Sequence, residues 1–311
     1  MENLTQRTIQ FLSQENSLGN SLSAFLIDRK ASELSPRTLD FYKEKIEKFF
    51  KFCLDRDIQF VTQITAGDLR EYMLYMAEVR NNNKGNIHGF YRSVRAFLNW
   101  FENEFEPEDW KNPIKKVKAP KQSQEILAPV SFESINALLE TCIEGTFQGD
   151  RDKAILLTLL DTGARASEFL GIDLEDINPT GTINLRHGKG DKSRIVYVGK
   201  KSKKAIRRYL KHREDDSSAL WITPANNRLT YDGLRAILTR RSKLANIAPP
   251  PIHSFRRAFA LAMLRSGNVD IFSLQKLLGH ASIAVMRTYL AQNNEDTKQA
   301  HLKGSPVDSN F

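Results

Sequence analysis

Four prolines, Pro107, Pro113, Pro120 and Pro129, interrupt the middle of this 311-residue chain and divide it into two differently patterned parts. Proline lacks the amide proton that a helix interior needs, and its ring clashes with the preceding turn, so no regular helix is expected through residues 107–130. Within that stretch, residues 111–121 carry five lysines and no acid. The segment reads as an extended basic linker lying along phosphates or as a solvated hinge. The chain is long enough for a separate core on each side of it.

Ahead of the break, residues 1–17 show little apolar periodicity and are expected to form a flexible arm. From Leu18 the pattern turns helical. Ser35 followed by Pro36 reads as an N-cap with proline at the first helical position. Behind it Leu39, Tyr42, Ile46, Phe49, Phe50 and Cys53 recur at spacings of three and four. Thr65 caps a helix carrying Leu69, Tyr72, Met73 and Met76 on one face. A turn is expected over 81–86, then a third helix through Ile87, Tyr91, Val94, Phe97, Leu98 and Phe101. Residues 18–106 therefore predict a small all-helical domain.

Beyond the break, Ser131 caps a helix through Cys142, and another runs over 150–160. Residues 182–186 and 194–198 are β-rich and flank Gly188-Lys189-Gly190-Asp191, which predicts a short hairpin. Helices follow over 202–212, 230–245, 253–266, 270–278 and 282–290. The fold class expected is mainly α with a small antiparallel β-sheet, in two domains, the larger over 131–290 and followed by a tail over 291–311.

The bulk properties narrow the function. No run of about eighteen apolar residues is present, so no membrane span is expected. The N-terminus lacks the regions of a signal peptide. Cys53 and Cys142 stand far apart, and no Cys/His cluster has metal-ligand spacing. A reducing, cytosolic setting with no disulfide and no structural zinc is the expectation. The net charge of +9 favours a polyanionic partner.

Several residues then offer chemistry. Arg165 follows Thr162-Gly163-Ala164, at a turn into a helix carrying Glu168. A guanidinium presents a planar fork that grips two phosphate oxygens at once, and Glu168, one helical turn on, is placed to fix its rotamer. A surface ion pair is the plain alternative. Lys189, between glycines at the hairpin tip, is able to reach a leaving group and donate a proton, or is simply a basic turn. His253 and Arg256 share one face at a helix start preceded by Pro249-Pro250-Pro251, where the helix dipole favours an anion. His280 follows Leu277-Leu278-Gly279, with the glycine placed to end a helix. Tyr289 stands nine residues later between Met286 and Leu290, a setting that by itself reads as core packing. Lys200 to Arg213 hold eight lysines and arginines and no acid, either a phosphate-facing stripe or a solvated helix face.

Taken together, Thr-Gly-x-Arg-x-Ser-Glu, Gly-Lys-Gly-x-Lys-x-Arg, His-x-x-Arg and Gly-His-x8-Tyr occur here in the order and spacing of the tyrosine recombinase (phage integrase) family, which this chain resembles over roughly residues 150–290. The N-terminal part and Asn112-Pro113 with its lysines resemble that family's core-binding (SAM-like) domain and linker. One departure is Arg257, where many relatives have a second histidine. The resemblance implies a two-domain DNA clamp in which Tyr289 is the nucleophile. Arg165, Arg256 and His280 hold the phosphate, His253 takes the phenol proton and Lys189 protonates the leaving oxygen.

It further implies a 3′-phosphotyrosyl intermediate, a Holliday junction, a homo-tetramer on duplex DNA with an inverted-repeat core site, and no ATP or metal. Accessory or partner recombinases fit that picture, and so does a tail over 291–311 that docks on a neighbouring protomer. Lys115, Lys116, Lys118, Lys121, Lys192, Arg194, Lys200, Lys201 and Lys204 are the candidate contacts to the DNA backbone, with Lys192 and Arg194 alternatively in solvent. The box Phe255-Arg256-Arg257-Ala258-Phe259 departs from the Leu-Arg-His-Ser/Thr-Phe usual in Xer proteins and tilts the expectation toward a mobile-element integrase. With few residues before 18, no added arm-binding domain and no accessory arm sites are expected. Xer-type dimer resolution and type IB topoisomerase-like relaxation are the rival activities. A non-catalytic DNA-binding module would have lost a reactive group, and a small-molecule phosphotransferase would need a nucleotide motif that the chain lacks.

Overall fold

The computed structural model describes residues 17–121, 128–186 and 193–279. The chain divides into two compact units, Met1–Glu125 and Ile126–Phe311. The arm expected over 1–17 lies, apart from Ser17, outside the described residues. So do the hairpin tip with Lys189 and Lys192, His280, the helix expected over 282–290 with Tyr289, and the tail over 291–311.

Among its described residues the first unit has four α-helices, whose boundaries follow their caps. Helix α1 is Leu18–Ala31 and α2 is Pro36–Leu54, with the Ser35 hydroxyl accepting from the Thr38 amide. Helix α3, Ala66–Leu74, starts at Thr65 in a reciprocal box. The Thr65 amide donates to Asp68 Oδ2 at 2.8 Å and the Asp68 amide donates to Thr65 Oγ1 at 3.3 Å. Its end loosens into a π turn, Tyr75–Val79. Helix α4 is Lys84–Phe105, three residues longer at its start than the periodicity predicts, because the Asn83 side chain caps it by accepting from the Asn86 amide. The core between them is aromatic, with Phe25, Phe49, Phe90, Phe97 and Phe101 almost fully buried. Edge-to-face pairs such as Phe25–Phe97, 5.5 Å apart at 88°, each add about 0.5–1.5 kcal/mol beyond simple burial.

The proline-rich segment is shorter as a linker than its composition predicts. Pro113–Lys116 form a 3₁₀ turn, and Ile114 and Val117 are buried in the first unit's core. Asn112 pins the turn by donating to the Leu98 carbonyl, Asn99 Oδ1 and Glu102 Oε2. Two apolar side chains among the lysines outweigh the cost of ordering this stretch.

In the second unit, α5 is Phe132–Glu140 and α6 is Phe147–Thr162. Helix α6 begins three residues before the expected Asp150 because Thr146 caps it. It is the central helix, with Ala154, Ile155, Leu156 and Leu159 buried. A short helix α7, Ala166–Leu170, leads to the strands β1, Thr182–Leu185, and β2, Arg194–Tyr197. They pair antiparallel, with Thr182 opposite Tyr197 and Leu185 opposite Arg194. Helices α8 (Lys200–Leu210), α9 (Tyr231–Leu244), α10 (Ile252–Arg265) and α11 (Ile271–Leu278) follow. Helix α6 packs against α8 and α10. Trp221 is fully buried between Phe169 and Tyr209, stacked at 4.8 and 5.8 Å.

A charged knot lies inside this apolar body. Asp152, with no exposed side-chain surface, accepts from Arg151 at 2.8 Å, Arg241 at 2.8 Å and Arg240 at 2.9 Å. Arg151 and Arg241 carry their remaining donors to the carbonyls of Ile222, Thr141 and Gln148. A buried charge is tolerated only when it is paired and hydrogen-bonded in this way.

Candidate active site

Gly163 ends α6 in the left-handed region at φ 56°. That turn aims Arg165 back over the helix end and places it as the N-cap of α7. Glu168 stands at the third position of α7 and binds Arg165 twice. The Arg165 amide donates to Glu168 Oε2 at 2.8 Å, and Arg165 Nη1 donates to Oε1 at 2.7 Å. The Glu168 side chain is fully buried, whereas that of Arg165 keeps 29% of its surface exposed. The pair is therefore an anchored fork rather than a surface ion pair.

Three arginines converge on the C-terminal end of α11. Arg194 Nε donates to the Leu277 carbonyl at 3.0 Å, Arg256 Nη2 to Leu278 at 2.6 Å, and Arg165 Nη2 to Gly279 at 3.0 Å. The last carbonyls of a helix have no partner within it and carry partial negative charge, so guanidinium groups are well suited to hold them. Arg256 is buried, and its Nη1 also donates to the Gly163 carbonyl at 2.7 Å. The end of α6, the start of α7, α10 and the end of α11 are thus fastened at one place. Gly279, at φ 63°, closes α11 there, directly before His280.

His253 is exposed on the first turn of α10, and protein packed behind the ring still disfavours its charged form. Burial is the main cause of a lowered pKa, and the positive charges of Arg256, Arg257 and Arg165 push it the same way. The imidazole is neutral at pH 7, the form that accepts a proton. Glu168 is the opposite case. Its burial alone would raise the pKa, but hydrogen bonds from Arg194 and the Arg165 amide and the Arg194 charge outweigh it and hold the carboxylate ionised.

Arg165, Glu168, His253 and Arg256 therefore gather in one place, while Lys189, His280 and Tyr289 fall outside the described residues. Lys192 does too. Of the other backbone candidates, Arg194 is a correction. Only 11% of its side chain is exposed, and its Nη1 lies 2.6 Å from Glu168 Oε1, so neither phosphate contact nor solvation describes it. Lys115 is exposed but joined to Glu102 at 2.5 Å. Lys116, Lys118 and Lys121 are exposed on the first unit's terminal segment.

On α8, Lys200, Lys201 and Lys204 are exposed, and Lys200, Lys203, Lys204, Arg207 and Lys211 line one basic face of that helix. Arg208 and Arg213 in the same run are tied internally to Glu144 and Asp215. The Asp152 knot escaped the sequence reading, although the signal was there in four consecutive charged residues, Asp150 to Lys153, at the head of an apolar helix.

Among the described residues no helix is long and apolar enough to cross a membrane, and no group of three or more His, Cys, Asp or Glu is placed to hold a metal ion. Cys53 and Cys142 are separate buried thiols, that of Cys53 pushed up to about 12 by burial.

Known proteins share the sequence pattern and the fold of this chain. The profile of the phage integrase family matches residues 129–296, and that of the phage integrase N-terminal SAM-like domain matches residues 22–109. The chain is 28% identical over 278 residues to the tyrosine recombinase XerC of Leptospira interrogans serogroup Icterohaemorrhagiae serovar copenhageni, covering 88% of each chain. It is 29% identical over 290 residues to XerC of Caldanaerobacter subterraneus subsp. tengcongensis, covering 86% of this chain and 81% of that one.

Among solved structures, the fold is shared with a lambda integrase dimer bound to a core site (TM-score 0.71, 14% identity, 89% of this chain and 96% of that one). It is shared also with XerH bound to a palindromic difH substrate (TM-score 0.69, 18% identity, 98% and 94%). Matched over more than half its length by that profile, the chain belongs to the phage integrase family, the tyrosine recombinases.

Proposed function

We propose that this chain cleaves and rejoins duplex DNA at a specific inverted-repeat core site by attack of Tyr289 on the scissile phosphate. The observation that carries the reading is the convergence of Arg165 and Arg256 on the end of α11, directly ahead of His280, with the neutral His253 beside them. Phosphoryl transfer places charge on the non-bridging oxygens, and fixed guanidinium groups stabilise it without rearranging. In the proposed step the Tyr289 oxygen bonds to phosphorus and the bond from phosphorus to the 5′ oxygen breaks. His253 takes the phenol proton and Lys189 gives one to the leaving oxygen. A phenol with a pKa near 10 needs that help. The 3′-phosphotyrosyl ester conserves the bond energy, so religation by a partner strand's 5′-hydroxyl calls for neither ATP nor metal.

In this reading both units engage the duplex, with Lys200, Lys201 and Lys204 contributing to the backbone contacts. Two such exchanges within a homo-tetramer pass through a Holliday junction, with or without accessory or partner recombinases. The proposed role is integration or excision of a mobile element in the cytoplasm, in association with the nucleoid. The Arg256-Arg257-Ala258 box, unlike that usual in Xer proteins, favours it. The XerC names of relatives matched over most of the chain favour dimer resolution as the second reading. Peptide mapping of the covalent complex trapped on a nicked duplex tests the chemistry. A 3′-phosphate on Tyr289 is expected, and an adduct on any other residue would overturn the assignment.

A further inference from the structure

Arg194 opens β2, far in sequence from Arg165, yet it enters the same carboxylate. Glu168 Oε1 accepts from Arg165 Nη1 at 2.7 Å and from Arg194 Nη1 at 2.6 Å. Arg194 Nε also holds the Leu277 carbonyl, one residue before the carbonyl held by Arg256 and two before that held by Arg165. The stem fills the space beside Gly279 so closely that a Cβ there would lie 2.8 Å from Arg194 Cδ. A side chain enclosed in this way cannot reach a groove phosphate without leaving a buried carboxylate behind.

We propose that Arg194 is a positioning residue for DNA cleavage: by sharing the buried Glu168 carboxylate with Arg165, it holds the Arg165 guanidinium in register for the scissile phosphate. The inference rests on the recombinase reading above, since only there does Arg165 have a phosphate to hold. With one cation removed, Glu168 has Arg165 as its remaining charged partner, and its desolvation is offset less. The carboxyl then gains a proton more readily and releases the Arg165 fork.

The test uses the full chain with Arg194→Met, which removes the charge and keeps much of the stem, and Arg194→Lys, which keeps the charge. Single-turnover cleavage of a nicked duplex at saturating protein is read beside DNA affinity across a salt series. Arg194→Met is expected to slow cleavage by about ten- to a hundredfold, the effect of a misplaced clamp, with affinity and salt slope unchanged. Arg194→Lys should recover part of the rate. The ratio of the Arg194→Met rate to the wild-type rate should fall as pH is lowered, because a buried carboxyl that has lost one of its cations gains a proton at higher pH than in the wild type.

In a Glu168→Gln background, Arg194→Met should add little. Should Arg194→Met fail to fold, Arg194→Lys carries the same readouts, with a smaller loss of rate at unchanged affinity. A salt slope lowered by about one with the cleavage rate intact would make Arg194 a phosphate contact and overturn the proposal. A rate loss that is independent of pH, unrelieved by lysine and additive with Glu168→Gln would reduce it to packing. A wild-type chain that forms no covalent complex defeats the recombinase reading itself, and this inference with it.

Discussion

Replacing Gly163 with alanine tests the joint on which the clamp is built. Gly163 lies at φ 56°, a region costing a residue with a Cβ roughly 1–2 kcal/mol. The reduced freedom of the unfolded chain returns about 0.4–1 kcal/mol. The added methyl would sit 2.4 Å from Phe259 Cδ1, so the ring must move within its cluster with Leu274 and Leu278. Overpacking of that kind costs about 1–3 kcal/mol. The net loss is about 2–4 kcal/mol, which lowers the melting temperature of the Ile126–Phe311 unit by about 5–12 °C.

Calorimetry of the full chain reads it, and cleavage should fall as well because the Gly163 carbonyl anchors Arg256. Adding Phe259→Leu relieves the clash, so the double variant should be more stable than the sum of its parts by about 1 kcal/mol. A shift under about 1 °C, or strict additivity with Phe259→Leu, would refute the reasoning.

Other outcomes follow from the same structure. Asp152→Asn leaves two buried guanidinium groups short of their shared anion, and chemical denaturation should show a loss of about 3–5 kcal/mol. Cleavage at saturating DNA should persist below about pH 6.5 before it declines, because the lowered pKa of His253 keeps it neutral into more acidic solution; a decline starting well above that pH would count against His253 as the base. Changing Lys200, Lys201 and Lys204 together to glutamine should lower the salt slope of DNA binding by about two to three and leave cleavage at saturation unchanged; an unaltered slope would return α8 to solvent.

What the sequence made legible was local. Ser35-Pro36, Thr65 and Ser131 announced helix starts because a cap acts within three residues, and the β-rich runs at 182–186 and 194–198 flanked their own turn. Arg165 and Glu168 were readable as a pair for the same reason, and Gly279 as a helix stop. Arg194 was misread because its partners, Glu168 and the Leu277 carbonyl, come from distant parts of the chain. The Asp152 knot shares that cause, joining α6 to α9 across 89 residues. Ile114 and Val117 were hidden among lysines, where composition pointed to a linker but two buried side chains decided for the core.

The central claim is attack by Tyr289 without a metal, and one gel tests it most directly. Wild-type protein and Tyr289→Phe are incubated with nicked duplexes carrying candidate core sites, with and without EDTA, and resolved under denaturing conditions. The account predicts a covalent protein–DNA band that survives EDTA and vanishes in Tyr289→Phe. A band that persists in the variant or disappears with the chelator would contradict it.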